Sequence, residues 1–268
     1  MEYINCEQFA KEILDGVKQV KHDKYFAIVS VGDNPASQSY IKGKIKDCEY
    51  CGIPYVHHHI SVTNDELAKR ELEETLYLLE HNDNVSAMIL QLPLPDGWDE
   101  KYYINLIPSH KDVDGLTSNS KFHPCTPEGI VHILKCGCDL EGKNVLIIGR
   151  GNLVGRPLFD LLLAENCTIT MAHSKTKNLE SMLKSYDIIV VAAGKPNLID
   201  LSKCDAYTVI DVGVNRVDGK LCGDCYNFNE ELYGDNMWVT PVPKGIGLMT
   251  RAMLMKHIAE INCKGVKT

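Results

Sequence analysis

The chain has 268 residues, room for one large domain or two modest ones at roughly 150 residues each. Apolar residues make up 44% and charged ones 24%, ordinary globular usage that excludes wholesale disorder and fibrous architecture. Lys and Arg number 28 against 36 Asp and Glu, a net charge of −8, and no basic stripe carries interleaved aromatics. A nucleic-acid partner therefore has no electrostatic footprint, and a small diffusible substrate fits better.

The first twenty residues are amphipathic and charged throughout, without the apolar core or small-residue cleavage site of a signal peptide. No apolar run approaches the roughly 18–20 residues of a membrane span, so the expectation is a soluble, cytoplasmic protein with no membrane partner. Eleven cysteines are spread along the chain, an odd number with no sign of secretion, which argues against a disulfide framework. Cys48–Cys51 and Cys222–Cys225 are C-x-x-C pairs, but the first falls in a helical pattern and the pairs lie far apart. Reduced thiols serving as small apolar residues are the simpler reading, and no metal is expected.

In chain order, β-branched runs at 25–31, 55–60, 85–90, 144–148, 168–172, 188–192 and 208–212 read as strands, with helical periodicity between most of them. Such alternation implies parallel sheet with helices on its faces, an α/β fold. The first strand is followed by a well-marked helix: Asn34 as N-cap, Pro35 at the first helical position, Gly52 to close it. Ile41, Ile45 and Cys48 mark its buried stripe, and Tyr40 and Lys44, four apart, share a neighbouring face. Taken alone, that pair reads as a snorkelling surface pair. Proline-rich stretches at 91–97, 108–127 and 240–247 interrupt the alternation, and a domain junction is expected near the second. A final helix from about Leu248 is free to pack back on the first domain.

Gly149-Arg150-Gly151-Asn152-Leu153-Val154-Gly155 follows a buried strand and opens a helix. Glycines there let a backbone approach a pyrophosphate at the helix's positive end, although a plain tight turn has the same glycines. The next strand ends in His173-Ser174-Lys175-Thr176 where an NAD site would place an acid, and with Arg150 nearby this favours NADP. Gln91 stands at a strand's C-terminal end, where α/β sheets place ligands. Asp114, in a Gly-containing turn, has an Asx-turn as its plain reading. His57 and His59, but not His58, share a strand face, and no third metal ligand accompanies them.

Together these residues resemble the bifunctional methylenetetrahydrofolate dehydrogenase/methenyltetrahydrofolate cyclohydrolase family. The landmarks are VGDNPASQSYIKGKIKDC (31–48), LQLPLPDG (90–97), KDVDGL (111–116), PCTPEGI (124–130), IGRGNLVGRP (148–157), AHSKT (172–176), IVVAAGKP (189–196), IDVGVNRVDGKLCGD (210–224) and TPVPKGIGLMT (240–250). A short-chain dehydrogenase, which shares the Tyr-x-x-x-Lys spacing, is disfavoured because there the pair follows the glycine turn.

The resemblance implies two domains: an N-terminal α/β catalytic domain over 1–113, completed by the helix 248–268, and a Rossmann-like parallel-sheet NADP-binding domain over 114–247. A folate cleft between them and a homodimer are implied too. Lys44 matches the catalytic lysine, Tyr40 the tyrosine that stacks on folate, Gln91 the glutamine that positions the lysine, and Asp114 the aspartate that holds the pterin-like ring. Leu92, Pro243 and Gly247 match further folate-binding positions. Gly149, Arg150, Gly151, Ser174 and Val214 match dinucleotide-contacting ones. The implied reactions are NADP-dependent oxidation of 5,10-methylenetetrahydrofolate to the 5,10-methenyl form and its hydrolysis to 10-formyltetrahydrofolate.

The chain departs from the family pattern at three places. A glycine has become Lys244, a proline has become Leu248, and a serine in the phosphate turn has become Gly151. The first two make a dehydrogenase with weak or lost cyclohydrolase activity the alternative; a non-catalytic folate- or nucleotide-binding protein is a more distant one.

Overall fold

The computed structural model describes residues 2–228 and 237–264. The chain divides into two compact units. One comprises the start of the chain to Ala10 with Pro124–Thr250; the other comprises Lys11–His123 with the last helix from Arg251 on.

The elements in chain order are β1 (Glu2–Tyr3), α1 (Cys6–Val17), β2 (Tyr25–Val31), α2 (Pro35–Cys51), β3 (Tyr55–Ile60), α3 (Asp65–Glu80), β4 (Val85–Leu90), α4 (Glu100–Ile104) and α5 (Cys125–Gly137). Then come β5 (Asn144–Ile148), α6 (Gly155–Ala164), β6 (Thr168–Ala172), α7 (Leu179–Met182), β7 (Ile188–Val191), β8 (Ile199–Asp200) and β9 (Thr208–Asp211). The series closes with β10 (Asn215–Val217), β11 (Lys220–Cys222), β12 (Cys225–Tyr226), β13 (Trp238–Val239) and α8 (Ile246–Lys264). All seven expected strand runs are present; the sixth and seventh end one residue early. The remaining strands are two or three residues long, too short for a period-2 signal.

The smaller unit carries a parallel sheet in the order β3-β2-β4. Its central strand β2 is buried from Phe26 to Val31, which is why it reads as a continuous apolar run and not an alternating one. Ala27, Val29 and Val31 pack with Leu72 and Leu76 of α3 and with Trp98. The α2 signals act as their chemistry dictates. Asn34 Oδ1 accepts from Ala36 N at 2.9 Å and Ser37 N at 3.2 Å, and Gly52 closes the helix at φ +72°. The C-terminal end of α3 is closed from a distance: buried Lys111 donates Nζ to the carbonyls of Leu79, Glu80 and Asn82 at 2.7–2.9 Å. A cation there also answers the helix dipole.

His22 shows how the last helix is fastened. Its Nε2 lies 3.2 Å from Val17 O and its Nδ1 accepts from Asn262 Nδ2 at 2.9 Å, while Asn262 Oδ1 accepts from Ser86 Oγ at 3.1 Å. The neutral ring satisfies both contacts, and burial pushes its pKa down. A histidine with a depressed folded value contributes stability above its unfolded pKa, about 6.5, that is lost as pH falls through the folded value. Urea midpoints are therefore expected to drop between about pH 7 and pH 5, and the drop should shrink in His22→Gln. Equal slopes in the two proteins would show that His22 is not the group responsible.

The larger unit carries a six-stranded sheet, every neighbour parallel, in the order β1-β13-β9-β7-β5-β6. β6 lies on one side of β5 and β7 on the other, so strand order reverses at β5. In open α/β sheets ligands bind outside the carboxyl ends of the strands at such a reversal.

The observed units differ from 1–113 with 248–268 and 114–247 at both ends of the chain. β1 joins the larger sheet, with Glu2 N donating to Met237 O and Ile4 N to Val239 O, each at 2.8 Å. Residues 114–123 stay with the smaller unit, because Asp112 accepts from Gly115 N at 3.0 Å and Thr117 N at 2.9 Å and His257 Nδ1 binds Val113 O at 2.8 Å. The last helix begins at Ile246, not Leu248, and residues 265–268 lie outside the described ones.

Candidate active site

In the smaller unit, β4 ends at Leu90 and Gln91 follows, its N–H still held on Val29 O at 2.8 Å. α2 passes beside this strand end, with Ser37 Oγ donating to Leu92 O at 3.1 Å. That brings Lys44 to Gln91: Nζ donates to Oε1 at 3.0 Å. Lys44 is 5% exposed, so it is no surface residue. The buried stripe of α2 runs through Ile41, Lys44, Asp47 and Cys48, while Ile45 is half-buried. The snorkelling reading of the Tyr40–Lys44 pair is thus corrected: packing against the Gln91 loop turned that face inward. Tyr40 is half-buried, and burial pushes its phenol up against the opposing charge of Arg251.

Asp114 is corrected in the same way. The carboxylate that ties the 112–117 turn belongs to Asp112, 1% exposed, which accepts from Gly115 N and Thr117 N. Asp114 is half-buried and makes no hydrogen bond or ion pair among the described residues, which leaves it available to a ligand. Its neighbour Val113 is anchored by His257, whose ring stacks on Phe122 at 4.3 Å. Asp47, Arg251, Asp112 and His257 escaped the sequence reading. Asp47 alone had a usable signal, three residues after Lys44 and seven after Tyr40 on one helix face.

In the larger unit the glycine turn sits at the carboxyl end of β5, where strand order reverses. Its three glycines do different work. Gly149 has φ +123°, and a Cβ there would run into Ala192 O and lie 2.7 Å from Ala192 C; a Cβ on Gly155 would strike Gly149 O. Both are consumed by the protein's own packing. Gly151 has no atom within 4 Å of where its Cβ would be, so this is the glycine with open space for a ligand or a larger side chain. Arg150 and Ser174 are exposed at the ends of the paired strands β5 and β6, and Val214 is 48% exposed after β9. Thr176 serves the β6 turn itself, its Oγ1 accepting from His173 N at 2.9 Å. The site therefore fits a dinucleotide whose ribose bears a 2′-phosphate: open backbone at Gly151, cation and hydroxyl where an acid would repel it.

Two aspartates that sequence reasoning missed frame this site. Asp224, fully buried, accepts from Ala193 N, Gly194 N, Lys195 N and Asn215 Nδ2 at 2.8–2.9 Å. Asp211 accepts from Gly213 N, Asp224 N and Cys225 N, and burial pushes its carboxyl up. Gly213 and Gly223 leave the room each carboxylate occupies.

Pro243 is exposed, while Gly247 and Leu248 lie in the first turn of α8, where Leu248 N donates to Gly245 O at 3.0 Å. Leu248 is thus helical here, and the first helical turn is also where a proline is tolerated. Lys244 has φ +74°, left-handed backbone that favours glycine, and its Nζ pairs with Glu7 at 2.9 Å on the surface. Left-handed backbone costs a non-glycine residue about 1–2 kcal/mol, and an exposed ion pair returns less than about 1 kcal/mol. Lys244→Gly is expected to stabilise the protein by only a few tenths of a kcal/mol, roughly 0–0.5, once the lost pair and glycine's extra chain entropy are counted. A lower thermal midpoint in that variant would show that the Glu7 pair outweighs the strain.

His57 Nε2 and His59 Nδ1 both reach Ser30 Oγ, at 2.8 and 3.3 Å, which shows the expected shared strand face. Among the described residues no group of three or more His, Cys, Asp or Glu is arranged to hold a metal ion, and no helix is long and apolar enough to cross a membrane.

Residues 4–114 match the catalytic domain of tetrahydrofolate dehydrogenase/cyclohydrolase, and residues 124–265 its NAD(P)-binding domain. The chain belongs to the tetrahydrofolate dehydrogenase/cyclohydrolase family. It is 42% identical over 247 residues to the bifunctional protein FolD of Bacillus cytotoxicus, covering 87% of this chain and 84% of that one. The FolD of Campylobacter jejuni is equally similar, 42% over 248 residues, 87% of this chain and 86% of the relative. The crystal structure of a Campylobacter jejuni FolD, a methylenetetrahydrofolate dehydrogenase/cyclohydrolase, superposes with a TM-score of 0.90 at 35% identity, covering 99% of this chain and 100% of that one. The Trypanosoma brucei enzyme, solved with NADP and an inhibitor, gives 0.87 at 26% identity over 99% of this chain and 98% of its own. The two matched domains and the two observed units place the family's catalytic part on the three-stranded sheet and its NAD(P)-binding part on the six-stranded one.

Proposed function

We propose that this protein oxidises 5,10-methylenetetrahydrofolate to 5,10-methenyltetrahydrofolate with NADP and then hydrolyses the product to 10-formyltetrahydrofolate. The observation that carries this reading is the buried Lys44 held on Gln91 Oε1 at 3.0 Å. A lysine held on a neutral amide is not locked in an ion pair and stays available to exchange protons.

NADP, when bound, supplies the hydride acceptor; Gly151, Arg150, Ser174 and Val214 would hold it, with Gly149 shaping the turn. For the hydride step the protein's task is alignment. Tyr40 would stack on the folate ring, Asp114 would accept from its N–H groups, and Leu92 would line its site. The second step has proton traffic. Water adds to the cationic methenyl carbon and Lys44 takes the proton that the water sheds. The bond from that carbon to the ring nitrogen N5 then breaks, and the hydroxyl proton passes to N5, with one proton released overall. Gln91 keeps the amine in place through both transfers.

The test is purified protein with 5,10-methenyltetrahydrofolate and no nucleotide, following loss of its absorbance against the buffer rate, beside methylene-dependent NADPH formation. Both activities are expected. NADPH formation with hydrolysis no faster than buffer would select the single-activity dehydrogenase; Lys244→Gly with Leu248→Pro, the two departures from the family pattern, should then restore hydrolysis selectively. Neither activity would return the protein to simple ligand binding. The same reading takes the protein to be a cytosolic homodimer, and a monomer mass by light scattering at working concentration would overturn the dimer.

A further inference from the structure

Asp47 lies three residues beyond Lys44 on the same face of α2 and is about as deeply buried, 7% exposed against 5%. Side chains three apart on a helix have Cβ atoms about 5–6 Å apart, within ion-pair reach. Yet Lys44 Nζ is on Gln91, not on Asp47. What faces Asp47 is Arg251 of α8, with Nε 2.8 Å from Oδ2. The contact is close but bent, and neither atom has an aligned hydrogen bond among the described residues. Asp47 is thus charge-compensated while still short of a good donor. Arg251 reaches it because α2 has no side chain at 43: a Cβ on Gly43 would clash with Arg251 Nη1 and lie 2.8 Å from Cζ.

We infer that Arg251 is a positioning residue that takes Asp47 away from Lys44, keeping Lys44 on the neutral Gln91 and able to exchange protons. The inference rests on the reading of Lys44 as the base of the hydrolysis. Without Arg251, Asp47 would be an uncompensated buried charge, and Lys44 is a cation on its own helix face. An ammonium drawn into a buried ion pair gives up its proton less readily. Among the described residues, the other groups facing this pair stay uncharged near neutrality. On α2, burial pushes the Tyr40 phenol up and the Cys48 and Cys51 thiols to about 12. α8 adds Met255, which meets Cys48 at 3.7 Å, and the end of β4 adds the neutral Gln91. Burial raises the Asp47 carboxyl while Arg251 holds it down, so a carboxylate that has lost the arginine stays ionised only by taking another cation.

The test is nucleotide-free hydrolysis of 5,10-methenyltetrahydrofolate across pH by the full-length protein and four variants, Arg251→Met, Gly43→Ala, Asp47→Asn/Arg251→Met and Lys44→Ala, with methylene-dependent NADP reduction alongside. Arg251→Met is expected to lose about tenfold near neutrality, with the rising limb of its rate profile displaced about one pH unit alkaline. Gly43→Ala, which displaces the guanidinium without removing it, should move the limb the same way. The double variant should recover the parental profile, because the carboxylate that captures Lys44 is gone. An unchanged profile in Arg251→Met would overturn the inference, as would a loss that the double variant does not recover. If Arg251→Met loses both activities through misfolding, the double variant still decides. Undiminished hydrolysis by Lys44→Ala would instead overturn the base assignment itself, an outcome distinct from every other.

Discussion

Replacing Lys44 with alanine is expected to lower hydrolysis of 5,10-methenyltetrahydrofolate by about 10²–10⁴-fold, the usual contribution of a positioned acid–base group. The hydride step should be hurt less, because it depends on alignment, which on the proposed reading Tyr40 and Asp114 would still provide. Gln91→Ala should fall between the two: the amine keeps its chemistry and loses the acceptor 3.0 Å away that orients it. Alanine at 44 leaves Gln91 without that donor, a cost of about 1 kcal/mol that the fold can bear. Loss of methenyl absorbance without nucleotide reads the first effect and NADPH formation the second. Equal losses in both activities would mean that Lys44 binds substrate and does not move protons.

Gly149→Ala is expected to be the most damaging single methyl in the larger unit. The residue has φ +123°, a region nearly closed to side chains, and its Cβ would strike the carbonyl of Ala192 at the end of β7. Strain and overlap together should cost at least about 3 kcal/mol, lowering the midpoint of that unit's thermal transition by about 6–12 °C. NADP binding should go with it, since β5 and β7 flank the strand-order reversal. Gly151→Ser, two residues on, should do the opposite. Its Cβ meets nothing within 4 Å, so stability should stay within about 0.5 kcal/mol, and a hydroxyl on the phosphate turn should tighten NADP about 2- to 10-fold by calorimetric titration. A Gly149→Ala protein with parental stability and affinity would show that the turn relaxes freely, and a Gly151→Ser protein with weaker binding would show that the open space is already used.

Short-range chemistry is legible in the chain without its fold. Asn34, Pro35 and Gly52 bounded α2 because caps act within four residues, and apolar runs marked the strands because burial on both faces needs no partner to be read. The glycine turn was legible for the same reason, as was the shared face of His57 and His59. Tertiary structure alone decided which of these local features carry a site. Lys44 is buried because the loop after β4 closes on α2, forty-seven residues away in the chain. Asp112 and not Asp114 holds its turn, Gly149 and not Gly151 is packed shut, and β1 joins a strand from the far end of the chain. Each of these rests on a contact between segments whose own periodicities are silent about one another. A side chain's burial, charge partners and free space are properties of that contact, and no local pattern encodes them.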